Sequence, residues 1–454
     1  MRCLVLHHCP KDVAAFARHF AFAACRTTHP GGWWDILIRW GNTDGPDADR
    51  TLNRAAAVNT AKNSDEVAQL LRANGLRFRS TDVEDDQTYR IHVVDLSVIA
   101  ITRKGRDGRF RRVLTMNPRR QRLLQFLSRR AVYILGLHFA AVDIRFDLKQ
   151  KPAVIRIDPA PALSESELAL YAEALLRTAK TLYTDTHTHP HVRDGEIIMG
   201  ADPEFILQQK HTNRLRFASD YFPAEGPVGY DARSVRVNRN WQYPIAEIRP
   251  RPSAFPSELV AEIRRTLRHA NQLAPDRNTL WLAGACPHPK FPIGGHIHFS
   301  RIQLTTDLLE ALDNYLALPM MLLENPDAAR RRRPRYGYLG DFRRKDHGGF
   351  EYRTLSSWLT GVRRARATLS LAKLIVLEYP RLTRRIFTTA EIQQAFYQGD
   401  QSLLRPHFQS LWNDICATTS YRRFEREIAP IEEWIVARRR WRERVDLRRR
   451  WEVF

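Results

Sequence analysis

Gly294-Gly295-His296-Ile297-His298-Phe299-Ser300 places two imidazoles and a hydroxyl at alternate positions behind a pair of glycines. Residues two apart in an extended strand point to one face, so His296, His298 and Ser300 share a face while Ile297 and Phe299 point away from it. Glycines at the head of a strand admit close approach of a backbone or a ligand. Working outward, residues 197–207, 243–248, 293–299 and 349–355 are short β-like runs, separated by helical patterns near 257–273, 307–323 and 362–378. That order predicts an α+β fold built on an antiparallel sheet.

Three further stretches repeat the logic. In Gly200-Ala201-Asp202-Pro203-Glu204-Phe205, Asp202 and Glu204 fall side by side on one strand face. Adjacent anions repel unless a cation sits between them, and a divalent metal answers that need. Ile245-Ala246-Glu247-Ile248-Arg249-Pro250 puts Glu247 and Arg249 on one face among apolar neighbours, and a buried glutamate requires a partner. The run 330–335, five of its six residues arginine, leads through Tyr336-Gly337-Tyr338-Leu339-Gly340-Asp341-Phe342-Arg343-Arg344-Lys345 into Gly349-Phe350-Glu351-Tyr352-Arg353. A loop of Arg, Lys and Gly ahead of a strand bearing Glu351 and Arg353 supplies cations for phosphate charge and one more carboxylate for a metal. Histidine beside carboxylates suits Mn or Zn. Taken singly, each stretch has an ordinary reading: an acidic strand face, a surface ion pair, a core histidine pair, a solvated charge run. Four strands offering such groups on one face favour a shared site.

Composition bounds the rest. A chain of 454 residues allows two or three domains with their own cores, and 43% hydrophobic content excludes disorder as the main state. No stretch approaches the roughly 18 uninterrupted apolar residues of a membrane span, and His7, His8 and Lys11 stand where a signal peptide would be apolar. A cytoplasmic protein without a membrane partner is expected. Five scattered cysteines with no C-x-x-C pair fit free thiols. The net charge of +22, carried mostly by arginine, favours anionic partners such as nucleotides, nucleic acid or acidic peptides.

Residues 33–180 read as a small α/β unit. Asn63-Ser64 caps a helix that stops at Gly75, 89–94 and 98–102 form a hairpin, and a long helix follows Asn117-Pro118. Residues 139–146 and 153–158 form a second hairpin, and Ser164 with Glu167 is a capping box. From Tyr183 to Gly195 the composition turns polar, as in a linker. His187, His189 and His191 alternate there, but Pro190 and the polar flanks favour a solvated segment over a metal site. The expected domains are 1–185 and 195–454, the second ending in a helical, Arg-rich tail.

The set Asp202-Pro203-Glu204, Glu247-Ile248-Arg249-Pro250, Gly295-His296-Ile297-His298-Phe299-Ser300 and Phe350-Glu351-Tyr352-Arg353 resembles the phage-type carboxylate–amine ligases (amidoligase type 2). That family is similar in fold to glutamine synthetase and glutamate–cysteine ligase. The resemblance implies a curved antiparallel sheet that holds ATP with Mg2+ or Mn2+, phosphorylates a substrate carboxylate and lets an amine displace the phosphate. By motif it implies Asp202, Glu204, Glu247, His296 and Glu351 as metal ligands. It places His298, Ser300, Arg249, Arg343 and Lys345 at the cofactor, with Arg353 and Arg335 steadying the transferring phosphoryl group. The first pair departs from the family's Glu-x-Glu.

The first half resembles an ATP-grasp domain without its middle. Tyr89-Arg90-Ile91-His92-Val93-Val94 is similar to its central strand, and Ala141-Val142-Asp143-Ile144-Arg145 with Ile155-Arg156-Ile157-Asp158-Pro159-Ala160-Pro161 to its metal-binding end. Arg156-Ile157-Asp158 stands where Glu-x-Asn is usual, which implies a degenerate, non-catalytic domain. The leading expectation is an ATP-dependent ligase joining a carboxylate to an amine, with a peptide or protein among the candidate substrates. Two readings from other classes stay open: an Arg-rich nucleic-acid-binding protein without catalysis, and a Zn-dependent hydrolase using His296, His298 and a carboxylate. Hydrolysis needs no phosphate cradle, so the arginine loop counts against the last.

Overall fold

A computed structural model of the chain describes residues 1–48, 50–79, 87–188, 196–346 and 348–454. They divide into two units, Met1–Thr188 with Phe387–Gln393, and His189–Ile386 with Gln394–Phe454.

The first unit begins with a parallel sheet of order β2-β1-β3-β4, made of β1 (Cys3–His7), β2 (Ala24–Arg26), β3 (Ile36–Trp40) and β4 (Thr51–Leu52). Helix α1 (Val13–His19) crosses between β1 and β2. This sheet is absent from the reading above, because Cys3–His7 and Ile36–Trp40 are buried along their whole length and show no alternation. Helices α2 (Ala55–Lys62) and α3 (Ser64–Ala73) follow, and the Asn63 side chain caps α3 by accepting from Asp65 N and Glu66 N.

An antiparallel sheet of order β7-β6-β5-β8-β9 comes next, from β5 (Thr88–Val94), β6 (Ser97–Lys104), β7 (Phe110–Arg112), β8 (Phe139–Phe146) and β9 (Pro152–Asp158). Helix α4 (Pro118–Ile134) packs on it, and α5 (Glu165–Thr188) opens with the expected Ser164–Glu167 box. Trp40 joins the unit's core to Phe139 and Tyr171, at ring distances of 5.0 and 5.3 Å. The linker expected from Tyr183 onward is helical as far as Thr188, since neither glycine nor proline interrupts the chain before Pro190. His187 therefore lies in a helix, and His189 and His191 lie outside the described residues.

The second unit is built on β10 (Ile198–Gln209), which is long enough to pair with four strands. β11 (Leu215–Arg216), β12 (Val228–Tyr230), β15 (Ile245–Ile248), β16 (Thr279–Leu282), β17 (Gly295–Ser300), β18 (Phe342–Arg344) and β19 (Phe350–Tyr352) complete an eight-stranded sheet whose backbone order is β12-β15-β10-β17-β19-β18. Every pairing is antiparallel. A separate hairpin, β13 (Val235–Val237) with β14 (Asn240–Gln242), precedes β15.

Helix α6 (Pro256–Leu273) packs on β10, β12 and β15 and against α10 (Val362–Glu378), which is buried almost throughout. Between them lie α7 (Thr306–Leu312), a π-helical turn at Asp313–Ala317, α8 (Leu318–Leu323) and α9 (Pro326–Arg332). The tail holds α11 (Ala390–Gln398), α12 (Gln401–Leu404), α13 (Phe408–Cys416), α14 (Tyr421–Val436) and α15 (Leu447–Trp451). No helix among the described residues is long and apolar enough to cross a membrane, and all five cysteines are free.

Candidate active site

Strand register turns four separate motifs into one row. Asp202 on β10 lies opposite His296 on β17, Glu204 opposite Glu247 on β15, and His298 opposite Glu351 on β19. Arg343 on β18 faces Glu351 from the far side. Period-two alternation keeps these side chains on one face, while Phe205, Ile297, Phe299 and Tyr352 are buried beneath the other. Tyr352 is pinned from below by its hydroxyl, which donates to Asp313 Oδ1 at 2.7 Å in the π-helical turn.

The two glycines do the work their position suggested. A Cβ on Gly294 would fall 2.3 Å from His296 Nε2, and one on Gly295 would fall 2.5 Å from Ser356 O. Gly294 N also donates to Glu204 Oε2 at 2.8 Å.

At the centre, His296 Nδ1 lies 3.1 Å from Asp202 Oδ1 and 3.4 Å from Glu351 Oε1, and His298 Nε2 lies 3.1 Å from Asp202 Oδ2. Burial opposes ionisation of Asp202, but His296 and His298 hold it well below the ordinary carboxylate value. Against its own burial, His296 is drawn above the usual imidazole value by Asp202. Glu351 is fully enclosed, yet Arg353 at 2.6 Å, Lys345 at 2.7 Å and Arg343 at 3.5 Å surround it. Burial and Asp202 push its pKa up, and His296, Arg353 and Lys345 outweigh them to hold it low. Glu247 goes the other way. Burial first, then Asp202, pushes it up to about 8, with Arg249 3.1 Å away offsetting only part.

Asp202, His298 and Glu351 offer ligand atoms within 4.8 Å of one another, which no other group of acids, histidines and cysteines among the described residues matches. His298 Nε2 is buried and, although near Asp202, makes no aligned hydrogen bond. A buried nitrogen between two carboxylates fits a divalent cation, and the mixed oxygen and nitrogen set suits Mn2+ or Zn2+ as well as Mg2+.

The structure redistributes the expected roles. His298 stands with the ligand-competent groups, whereas Glu204 is taken by Arg233, whose Nη2 lies 2.6 Å from Glu204 Oε2. Arg233 also reaches Asp231 at 2.7 Å and donates to Pro292 O at 2.6 Å. Neither Asp231 nor Arg233 stood out in the sequence, because nothing local ties them to an acid 29 residues upstream. The available signal was electrostatic, since Glu204 is a buried carboxylate that needs a cationic partner and none follows it on its own strand.

Arg249 binds Glu247 and donates to the carbonyls of Ala224, Gly226 and Tyr230. Ser300 sits at the end of β17, opposite Ile198. Arg335 is exposed and packs over the Tyr336 ring, which Arg233 also faces, and does not join the cations around Glu351.

The 330–335 run is corrected in part. Arg332 is buried and donates to the carbonyls of Ile293, Arg353, Thr354 and Leu355, so it staples the chain entering β17 to the chain leaving β19. Arg333 makes a buried two-point pair with Glu324 at 2.6 and 2.8 Å. These two guanidiniums turn inward because buried carbonyls and the buried Glu324 carboxylate offer them partners, and they are structural. Arg448 in the Arg-rich tail is likewise buried against Asp446 and Trp281.

A one-faced row of acids, imidazoles and guanidiniums on an antiparallel sheet offers the groups that cation and phosphate chemistry uses. Residues 199–453 match the phage phiEco32-like COOH.NH2 ligase-type 2 family. That is more than half of the chain, and the protein belongs to this family of carboxylate–amine ligases. No curated protein matches it.

Solved structures similar to part of the chain include ligases and a macrocyclase. One is PsnB complexed with minimal precursor, Mg and ADP, at 12% identity over 39% of this chain and 98% of that one, TM-score 0.32. Macrocyclase MdnB from Microcystis aeruginosa MRC has 12% identity over 40% and 98%, TM-score 0.28. D-alanine–D-alanine ligase from Bacillus anthracis has 8% identity over 40% and 99%, TM-score 0.30.

Proposed function

We propose that the eight-stranded sheet is glutamine synthetase-like and that its face forms an amide or peptide bond through an acyl phosphate. A carboxylate resists attack by an amine until one oxygen becomes a good leaving group, and phosphorylation by ATP makes it one. A divalent cation, Mg2+ or Mn2+, would be held by Asp202, His298 and Glu351, with His296 and Glu247 beside them, and when bound it supplies Lewis-acid screening of phosphate oxygens.

The chain's own groups do the rest. Arg353, Lys345 and Arg343 stand where negative charge on a moving phosphoryl group needs cations already in place. Arg233 keeps Glu204 fixed, and Arg332 keeps β17 and β19 in register so that the row stays aligned. The substrates are a carboxylate and an amine, a peptide among the candidates, and the setting is cytoplasmic. The first unit reads as a degenerate ATP-grasp-like domain: Asp143 is locked by Arg90 and Asp158 by Arg156.

The observation that carries this proposal is the convergence of Asp202, His298 and Glu351 beneath three cations. Its test is ATP turnover with mixed amino acids and peptides as acceptors, in Glu351→Ala and His296→Ala. Turnover should be lost in both, and wild-type rates in both would reject the site.

A further inference from the structure

β13 and β14 pair only with each other and stand apart from the eight-stranded sheet. Their turn, Asn238-Arg239, takes positive φ at both residues, 47° and 69°, as a two-residue hairpin requires. The hairpin is anchored firmly at its base. Tyr230 and Tyr243, which flank it, stack at 4.4 Å, and Ser219 bonds both Gln242 and Tyr243 N. Arg233, two residues before β13, is the residue that grips Glu204 in the acid row. Three residues of extended chain span at most about 10 Å, so Arg236 lies within that distance of Arg233 along the chain.

What the hairpin presents is cationic and aromatic. Arg236 and Trp241 are register partners and so share one face. Trp241 is 63% exposed, Arg236 and Arg239 are exposed, and neither arginine has an ion-pair partner among the described residues. Residues 232–244 contain no acid. An exposed indole beside unpaired guanidiniums is the composition of an interface anchor, since Trp and Arg dominate binding energy where they are covered. Guanidiniums pair with carboxylates through two bonds, and the indole face covers the aliphatic stems and backbone of an extended chain.

We propose that this hairpin is a docking arm for an acidic peptide, so that the carboxylate activated on the sheet belongs to a polypeptide segment rather than to a free amino acid. The proposal rests on the ligase reading above for the fate of the peptide, but not for its binding.

The test is fluorescence anisotropy of the full chain with a labelled hexaglutamate, at about 0.1 M salt so that exposed charges still act. Wild type should bind hexaglutamate and not hexalysine. R236E/R239E should weaken binding at least about tenfold and W241A about threefold or more, with W241F retaining most of it. Equal affinity in R236E/R239E would overturn the arm, and so would an oligothymidylate that competes as well as hexaglutamate. E351Q separates the two ideas. If it binds hexaglutamate as wild type does, while wild type shows no acceptor-dependent ATP turnover, the ligase reading fails and the arm stands. If turnover is present and hexaglutamate binding is indifferent to the arm, the reverse holds.

Discussion

Two antiparallel sheets in this chain carry acids across neighbouring strands, and they dispose of the charge in opposite ways. In and beside the five-stranded sheet three carboxylates each have a base of their own. Asp143 accepts two bonds from Arg90 at 2.8 and 2.9 Å, Asp158 lies 2.7 Å from Arg156, and Glu167 lies 3.1 Å from His92. In the eight-stranded sheet Asp202 and Glu351 both lean on His296, and Glu247 shares its surroundings with Asp202. The consequences differ in sign: Glu167 is held down to about 2 by His92 beside it, whereas Glu247 is pushed up to about 8. Pairwise settlement leaves nothing to bind a cation. Crowding instead makes several acids share the same bases, as Asp202 and Glu351 share His296.

The comparison breaks most sharply in activity. D202N should lower ATP-dependent ligation at least roughly 100-fold, a loss of the size seen when metal ligands or their supports are removed, while D143N should leave it within about twofold. A steady-state assay of both variants decides; a D143N defect as deep as that of D202N would make the first unit catalytic.

Stability reverses the order. D143N strands Arg90 in a mostly buried setting and should cost about 3–5 kcal/mol, read as a lowered thermal midpoint. An unchanged midpoint would show that the pair is not what holds the sheet.

Two pH limbs sharpen the contrast further. Glu443 is buried, accepts from Ala285 N at 3.1 Å, and is pushed up to about 7 by that burial. The folded state therefore holds its proton more tightly than the unfolded one, and the stability that this group contributes is greatest below pH 4.5. Roughly 2–3 kcal/mol should be lost as pH rises through about 7, and E443Q should flatten that slope in denaturant titrations.

Glu167 gives the smaller and opposite limb. Its depressed value contributes stability above pH 4.5 that disappears as pH falls towards 2, on the order of 1 kcal/mol after solvent screening. E167Q should remove it, and an acid limb that persists in that variant belongs to another carboxylate.

Much of this was legible before any coordinates. The caps at Asn63 and Ser164, the hairpins of the five-stranded sheet and the four strands of the site follow from capping chemistry and alternation. The parallel sheet was not, because Cys3–His7 and Ile36–Trp40 are buried on both faces and carry no periodic mark. Nor could the 330–335 run be divided by composition. Exposed Arg335 and buried Arg332 look alike in a string of arginines, and they differ only in which carbonyls and rings surround them.

The sequence alone determined which residues share a strand face, because side-chain direction along a strand repeats every two residues. In this way it set Asp202 beside Glu204, His296 beside His298, and Glu351 beside Arg353 on one face. Only the tertiary structure decided which pairs meet across strands: His298 with Asp202, Glu204 with Arg233, Lys345 with Glu351. Those meetings depend on register and on chain folded back over long separations. Charge interacts through space and takes no account of sequence order, so the allotment of partners could not be read along the chain.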